Sequence, residues 1–377
     1  MSSGFEFLSL TELRKKKSYK WRQFGGDTIP LTVAEMDFRI SPEITDALQD
    51  MIDRSDMGYL GANPELQKSF AKFAGALWGW KFDSELVRVG NDVGSCVQEI
   101  LNVISKPGEA ILINSPVTNF AKWILEAGRS VHDIPLIESE MNYRIDFAGM
   151  ERAFASGIRI YLLCNPHSPV GVNFNKDDLR AIAQLAKKYG VTVLSDEIHS
   201  ALTFDASNFT PFLDSCAEAK EIGVCLSSAS KAFNISGLKC AIYLAESCDL
   251  NKKLGQIPES ARHRASLFGV VATAAAFESG VPWLTAALVA LEANAQALAN
   301  QLEATLPTTK YRKPDFGYLA WLNFGDENWR EIFAKADVAL LPGEIYRENI
   351  PNFARLNFAT DPEIMKLAFD RLTKFTK

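Results

Sequence analysis

No two of the six cysteines stand in a CxxC pair, no histidines share a metal-ligand spacing, and no apolar run is long enough to cross a bilayer. Each absence removes a class of function. Cys96, Cys164, Cys216, Cys225, Cys240 and Cys248 suit neither a zinc ribbon nor a paired redox centre. Several lie in apolar, strand-like runs, where cysteine behaves as a small hydrophobe; reduced thiols in a cytoplasmic protein are expected. His132, His167, His199 and His263 are too scattered for a zinc site. The stretch Met1 to Leu13 mixes Glu6 and Glu12 with scattered apolar residues, which is not a signal-peptide pattern. No GxGxxG follows the early strands, against a dinucleotide-binding oxidoreductase. Positive charge is also short: 40 Lys and Arg stand against 46 Asp and Glu, a net charge of −6. A nucleic-acid binder would show a basic face. The one basic run, Arg14-Lys15-Lys16-Lys17, is short and isolated and reads as a solvated face. No nucleic acid, membrane or metal is expected as a partner, which leaves small molecules.

What is present is an ordinary globular composition, 47% hydrophobic and 23% charged, in a chain of 377 residues, more than one core usually holds. From about Glu109 to Glu246 short apolar runs alternate with helix-like stretches. The expected strands are Ala110 to Ile113, Ile158 to Cys164, Val191 to Leu194, Val224 to Ser227 and Cys240 to Ala245. Between them, Leu179, Ile182, Ala183 and Ala186 keep helical spacing and end at Gly190. Apolar strands separated by helices imply a parallel sheet covered on both faces. Beyond Asp249 the pattern changes to a long helix near Trp283 to Leu306, strands near Tyr318 to Phe324 and Ala354 to Phe358, and a terminal helix from Pro362. The expected fold class is α/β, a mostly parallel central sheet between helices with a smaller α+β C-terminal domain. The boundaries expected are an N-terminal segment, 1–40, on the small domain, a large domain, 41–250, and a small domain, 251–377.

Ligands of open α/β sheets bind beyond the carboxyl ends of the strands. Three polar clusters follow the apolar runs: Asn165-Pro166-His167-Ser168-Pro169-Val170-Gly171, Ser195-Asp196-Glu197-Ile198-His199, and Ser227-Ser228-Ala229-Ser230-Lys231-Ala232-Phe233. Alone, Lys231 reads as a surface lysine after a strand. Together with Asp196 and Asn165 it matches what pyridoxal 5′-phosphate (PLP) needs: a lysine for a Schiff base, a carboxylate to keep the pyridine nitrogen protonated, and a donor for the ring's phenolic oxygen. The phosphate needs a helix start. Gly94-Ser95-Cys96-Val97-Gln98 offers one, since Ser95 and Gln98 have capping-box spacing, although such a motif alone is only a helix N-terminus. Ser228 and Lys239 are further candidate phosphate ligands. Arg355 is an arginine within an apolar strand, a costly placement unless it is paired.

These residues resemble the fold-type I, aspartate-aminotransferase-like PLP enzymes, and more narrowly their cystathionine β-lyase (C–S lyase) branch. The likeness runs along nearly the whole chain: Ser18 to Trp21, Val33 to Phe38, NPHSPVG, SDEIH, SASKAFNISGL, GVPWL from Gly280, YLAWL from Tyr318 and RLN from Arg355. The resemblance implies Lys231 as the Schiff-base lysine, Asp196 as the pyridinium partner and Asn165 as a ligand of the phenolic oxygen. Gly94, Ser95 and Ser228 match phosphate-loop positions. His199 stands where related aminotransferases commonly carry Tyr, and Lys239 where they carry Arg. Tyr59 resembles a tyrosine that crosses to the other subunit's phosphate, which implies a homodimer. Arg355 matches the grip on the substrate α-carboxylate, with the backbone near Ala34 assisting.

One departure stands out. The family stacks an aromatic ring on the pyridine two residues after the proline of a strand-end Pro-Val; here that proline is Pro116 and the position holds Thr118. Phe120, or another nearby aromatic, is expected to fill part of the gap. The activity implied is α,β-elimination of cystathionine or another S-substituted cysteine. The alternatives are an aminotransferase on the same scaffold and a non-enzymatic regulator, for which no separate interaction module stands in the chain.

Overall fold

Seven short strands form the central sheet of the computed structural model, which describes residues 4–376. In chain order they are β1 (Arg88–Gly90), β2 (Ala110–Ile113), β3 (Ser130–Asp133), β4 (Ile160–Cys164), β5 (Thr192–Asp196), β6 (Gly223–Ser227) and β7 (Ala241–Leu244). They lie in the order β1-β7-β6-β5-β4-β2-β3. Neighbours are parallel except where β7 meets β6 and β1. The sheet is thus mostly parallel, as the sequence pattern implies, with β7 the strand that runs against it. A parallel return needs a long crossover, usually a helix. Between β6 and β7 the chain has only the short helix Ala229–Ala232 and one 3₁₀ turn, Ser236–Leu238.

Alternation along the strands gives each face its own core. On β2, Ile111 and Ile113 pack with Val97, Ile100, Leu101 and Ile124, whereas Leu112 faces the cluster that holds Leu179, Ile182 and Ala183. The helix Lys176–Tyr189 supplies those last three residues. Asn175 caps its start by accepting from the Asp177 and Asp178 N–H groups, and Gly190 ends it in a left-handed turn (φ 66°) that glycine adopts without strain.

The C-terminal elements follow the expected order. Helices Leu267–Ser279 and Val281–Thr305 meet at 82°, and no single helix among the described residues is long and apolar enough to cross a membrane. The first packs on helices Pro42–Asp53 and Pro64–Trp78, the second on the terminal helix Pro362–Leu372. A four-stranded antiparallel sheet runs in the order Lys310–Tyr311, Leu319–Asn323, Phe353–Asn357, Leu341–Pro342. The N-terminal segment joins this region, since Ile29 and Pro30 pair in parallel with Val338 and Ala339. A buried ion pair anchors the same segment. Lys20 Nζ lies 2.8 Å from Asp37 Oδ2, Trp21 Nε1 donates to Asp37 Oδ1 at 2.8 Å, and both charged side chains are shut off from solvent.

Candidate active site

Because β1, β2, β4, β5 and β6 run the same way, the turns after them gather on one rim. A cavity of about 470 Å³ opens there, roofed by the N-terminal segment and the small sheet. Ala34, Gly94, Asp196, His199, Lys231, Lys239 and Arg355 all line it.

Asp196 is the last residue of β5, buried, and its Oδ1 accepts the Ile198 N–H at 3.1 Å. Its other oxygen has no hydrogen-bond donor among the described residues. Burial pushes the carboxyl up to about 7, partly offset by that N–H and by Lys231. Lys231 sits on the turn of helix after β6, and its Nζ donates to the Ala34 carbonyl at 3.1 Å. Burial, then the neighbouring Arg355 charge, pushes its ammonium down to about 8, so the free amine is far more accessible near neutral pH than on an ordinary lysine. Burial, assisted by Lys231 and Arg355, likewise pushes His199 down to about 3 and keeps it neutral. Behind Asp196, Glu197 is held by the Ser195 hydroxyl and the Phe212 N–H, both at 2.8 Å, and fixes the turn.

Arg355 reaches the cavity from the small sheet. Its Nη2 donates to the Thr32 carbonyl at 2.7 Å, its Nε has no partner, and the guanidinium lies 5.3 Å from the Tyr346 ring centroid. Donors therefore remain for an incoming carboxylate.

At the phosphate end the helix is Val93–Ile104 and its cap is Asp92, whose Oδ1 accepts the Ser95 N–H at 2.9 Å. The capping box expected from Ser95 and Gln98 does not form. The helix begins three residues earlier, and Gln98 donates to Glu126 at 2.8 Å. Gly94 is required by contact: a Cβ there would stand 2.6 Å from the Trp123 ring. Lys239 Nζ lies 3.1 Å from Asp92 Oδ2.

Four expected residues do not line this cavity. Asn165 donates its amide to the Thr210 carbonyl at 3.1 Å, and three residues on Ser168 takes the place at the cavity wall. The strand-end segment turns between them, which a linear reading of NPHSPVG does not show. Ser95 faces the opposite side of its helix start, beside Glu99 and Tyr243. Ser228 is spent on structure, its hydroxyl 2.6 Å from the Cys240 carbonyl, whereas Ser230 and Ser236 line the cavity. Tyr59 is 97% exposed and far from burial of any kind. Residues that sequence reasoning passed over are Asp92, Trp123, Ser168, Ser230 and Tyr346. Phe120 and Trp123 both line the wall near Thr118, with ring centroids 5.5 Å apart; Phe120 is the one sunk in the core.

The donor set fits PLP. A buried carboxylate with a spare oxygen, a buried lysine with a lowered pKa, a helix start with a lysine across from it and an arginine with open donors stand around one cavity. Among the described residues no cluster of side chains suits a metal.

Known proteins agree with this geometry. Cystathionine beta-lyase PatB of Bacillus subtilis is 31% identical, with 90% of this chain and 92% of that one covered. The cystathionine beta-lyase of Corynebacterium glutamicum is 29% identical, over 97% and 98% of the two chains. A PLP-bound C–S lyase from Staphylococcus hominis, complexed with L-cycloserine, superposes with a TM-score of 0.89 at 25% identity over 98% of this chain and 97% of that one. Residues 26–372 match the family described as aminotransferase class I and II, so nearly every element that builds the rim and its cavity lies inside the match, and the chain belongs to that family.

Proposed function

We propose that this protein is a PLP-dependent carbon–sulfur β-lyase, which splits L-cystathionine or a related S-substituted cysteine into a thiol, pyruvate and ammonia. The observation that carries the reading is the convergence of Lys231, Asp196 and Arg355 on one cavity. The names and likenesses of the relatives support it.

When bound, PLP supplies an electron sink for the bond pair released at the substrate Cα. Lys231 holds the cofactor and then takes the Cα proton on Nζ, a task that its lowered pKa suits. Asp196 holds a proton on the pyridine nitrogen, and the cationic partner in turn stabilises this buried carboxylate. Asn165, buried at the end of β4, serves the phenolic oxygen, with Ser168 and His199 at the cavity wall beside it. Arg355 grips the α-carboxylate through its open donors, with the Ala34 backbone alongside. Lys239 and the first turn after Asp92 take the phosphate. Trp123 and Phe120 cover the wall that Thr118 leaves thin. The thiolate leaves from Cβ, and hydrolysis of what remains of the amino acid releases pyruvate and ammonia.

The working unit is a homodimer in the cytoplasm. Tyr59 and Met57 project from an exposed segment beside an apolar cavity of about 650 Å³ lined by Leu60, Leu66, Val270, Val271 and Ala274, a surface suited to a second copy. The described cysteines are all free, as a reducing compartment requires.

Incubation with cystathionine, without any keto acid, should yield thiol, pyruvate and ammonia in equal amounts. Lys231→Ala should lose the cofactor's visible absorption band and at least about 10²-fold in rate. Turnover that requires a 2-oxo acid and yields its amino acid would make the protein an aminotransferase instead.

A further inference from the structure

We propose that Asp92 is a built-in rival of the cofactor's phosphate and sets how tightly the cofactor is held. The inference rests on the PLP reading above and concerns a residue which that reading does not need.

Asp92 uses one helix-start donor and the one cation at this end of the cavity. One carboxylate oxygen accepts the Ser95 N–H at 2.9 Å, and the other lies 3.1 Å from Lys239 Nζ. Helix starts and lysines are the groups that hold phosphate elsewhere. Here a carboxylate of the chain itself already uses one of each. The remaining cations that line the cavity, Lys231 and Arg355, stand at its other parts, with Lys231 on the Ala34 carbonyl and Arg355 on the Thr32 carbonyl. Among the described residues that line the cavity, no further cation is left to balance both Asp92 and a phosphate.

Lys239 is fixed from below. It follows the 3₁₀ turn Ser236–Leu238 in a left-handed conformation (φ 57°), and its carbonyl accepts the Ser266 N–H at 3.1 Å. The helix Leu267–Ser279 then presses against that turn so closely that a Cβ on Gly269 would lie 2.1 Å from the Leu238 carbonyl oxygen. The backbone of Lys239 is thus held while its ammonium faces Asp92.

Capping alone does not demand a charge, because a serine or asparagine at the cap accepts the same N–H. The carboxylate adds a negative charge beside a group that itself carries about two. Phosphate therefore binds against like-charge repulsion and shares Lys239 with Asp92, which weakens retention of the cofactor.

The test is equilibrium binding. Apoenzyme of the wild type, Asp92→Asn and Asp92→Ser is titrated with PLP, and separately with pyridoxal, which lacks the phosphate; thermal unfolding of each apoenzyme checks its fold. Both variants should bind PLP about tenfold more tightly, the value of one charge-assisted hydrogen bond, with pyridoxal binding unchanged. Unchanged or weaker PLP binding by Asp92→Ser, or an equal gain for pyridoxal, overturns the proposal. A wild type that takes up no PLP at all overturns the cofactor reading itself.

Discussion

The Nζ of Lys231 lies 3.1 Å from the carbonyl oxygen of Ala34, so the lysine at the end of β6 is tied to the N-terminal segment 197 residues away in sequence. Tyr318 donates to the same oxygen at 3.1 Å. The Ala34 N–H has no acceptor among the described residues and stays open to a substrate. One residue thereby positions the lysine through its carbonyl and keeps its N–H for the cavity.

Arg355→Ala should lower kcat/KM at least tenfold, since a hydrogen bond to a charged group contributes about 1.5–3 kcal/mol. PLP affinity at alkaline pH, where Lys231 is uncharged in both proteins, should stay near that of the wild type. Arg355 also depresses the Lys231 pKa, so its removal should shift the pH midpoint of cofactor uptake by the apoenzyme upward from about 8. Lost cofactor affinity with an unchanged KM would place Arg355 at the wrong end of the site.

Asp196→Asn should make the apoenzyme more stable at alkaline pH. The folded-state pKa of Asp196 is raised to about 7, so the folded chain binds more protons than the unfolded one between about 4 and 7. Stability from this group is present at low pH and lost as pH rises through 7. The variant should therefore gain about 2 °C or more in apo Tm at pH 8 and nothing near pH 4. Equal melting of both proteins at pH 8 would show that the buried carboxylate costs nothing.

Lys20→Met leaves Asp37 buried without its cation. Breaking a buried pair on one side costs about 3–5 kcal/mol, measurable as a lower urea midpoint. The Trp21 indole bond to Asp37 is not enough to replace it. A loss under 1 kcal/mol would mean that water reaches Asp37 in the variant.

In the proposed homodimer, Tyr59→Phe should weaken PLP retention about tenfold while sedimentation still shows a dimer, because the proposal gives only its hydroxyl to the partner's phosphate. Wild-type retention would confine Tyr59 to the interface.

Local patterns foretold the elements that depend on local rules. The helix at Leu179 to Ala186 and its Gly190 stop follow from spacing and one left-handed residue. Lys231 and Asp196 were readable because a strand end fixes where the next side chain goes. Less was legible where the chain folds back on itself. Asn165 and Ser168 are three residues apart in one polar segment, and which of them meets the cavity depends on the turn between them. The direction of β7 depends on the missing crossover helix, not on its own apolar residues. Asp92 escaped notice since an N-cap aspartate is commonplace until Lys239, 147 residues on, is seen against it.

The parallel pairing of Ile29 with Val338 also has a temporal meaning. A ribosome releases the first strand long before the second exists, and the Arg355 strand follows later still. While the chain emerges, the segment around Ala34 can hold to Lys231 and Asn234 but still lacks the strands of Val338 and Arg355. Cofactor capture by a growing chain would meet an open rim, wet and without its carboxylate grip. Closure of the pocket thus waits for residues 338 to 357, and a chain truncated before residue 338 lacks the strands that pair with Ile29 and bring Arg355 to the cavity.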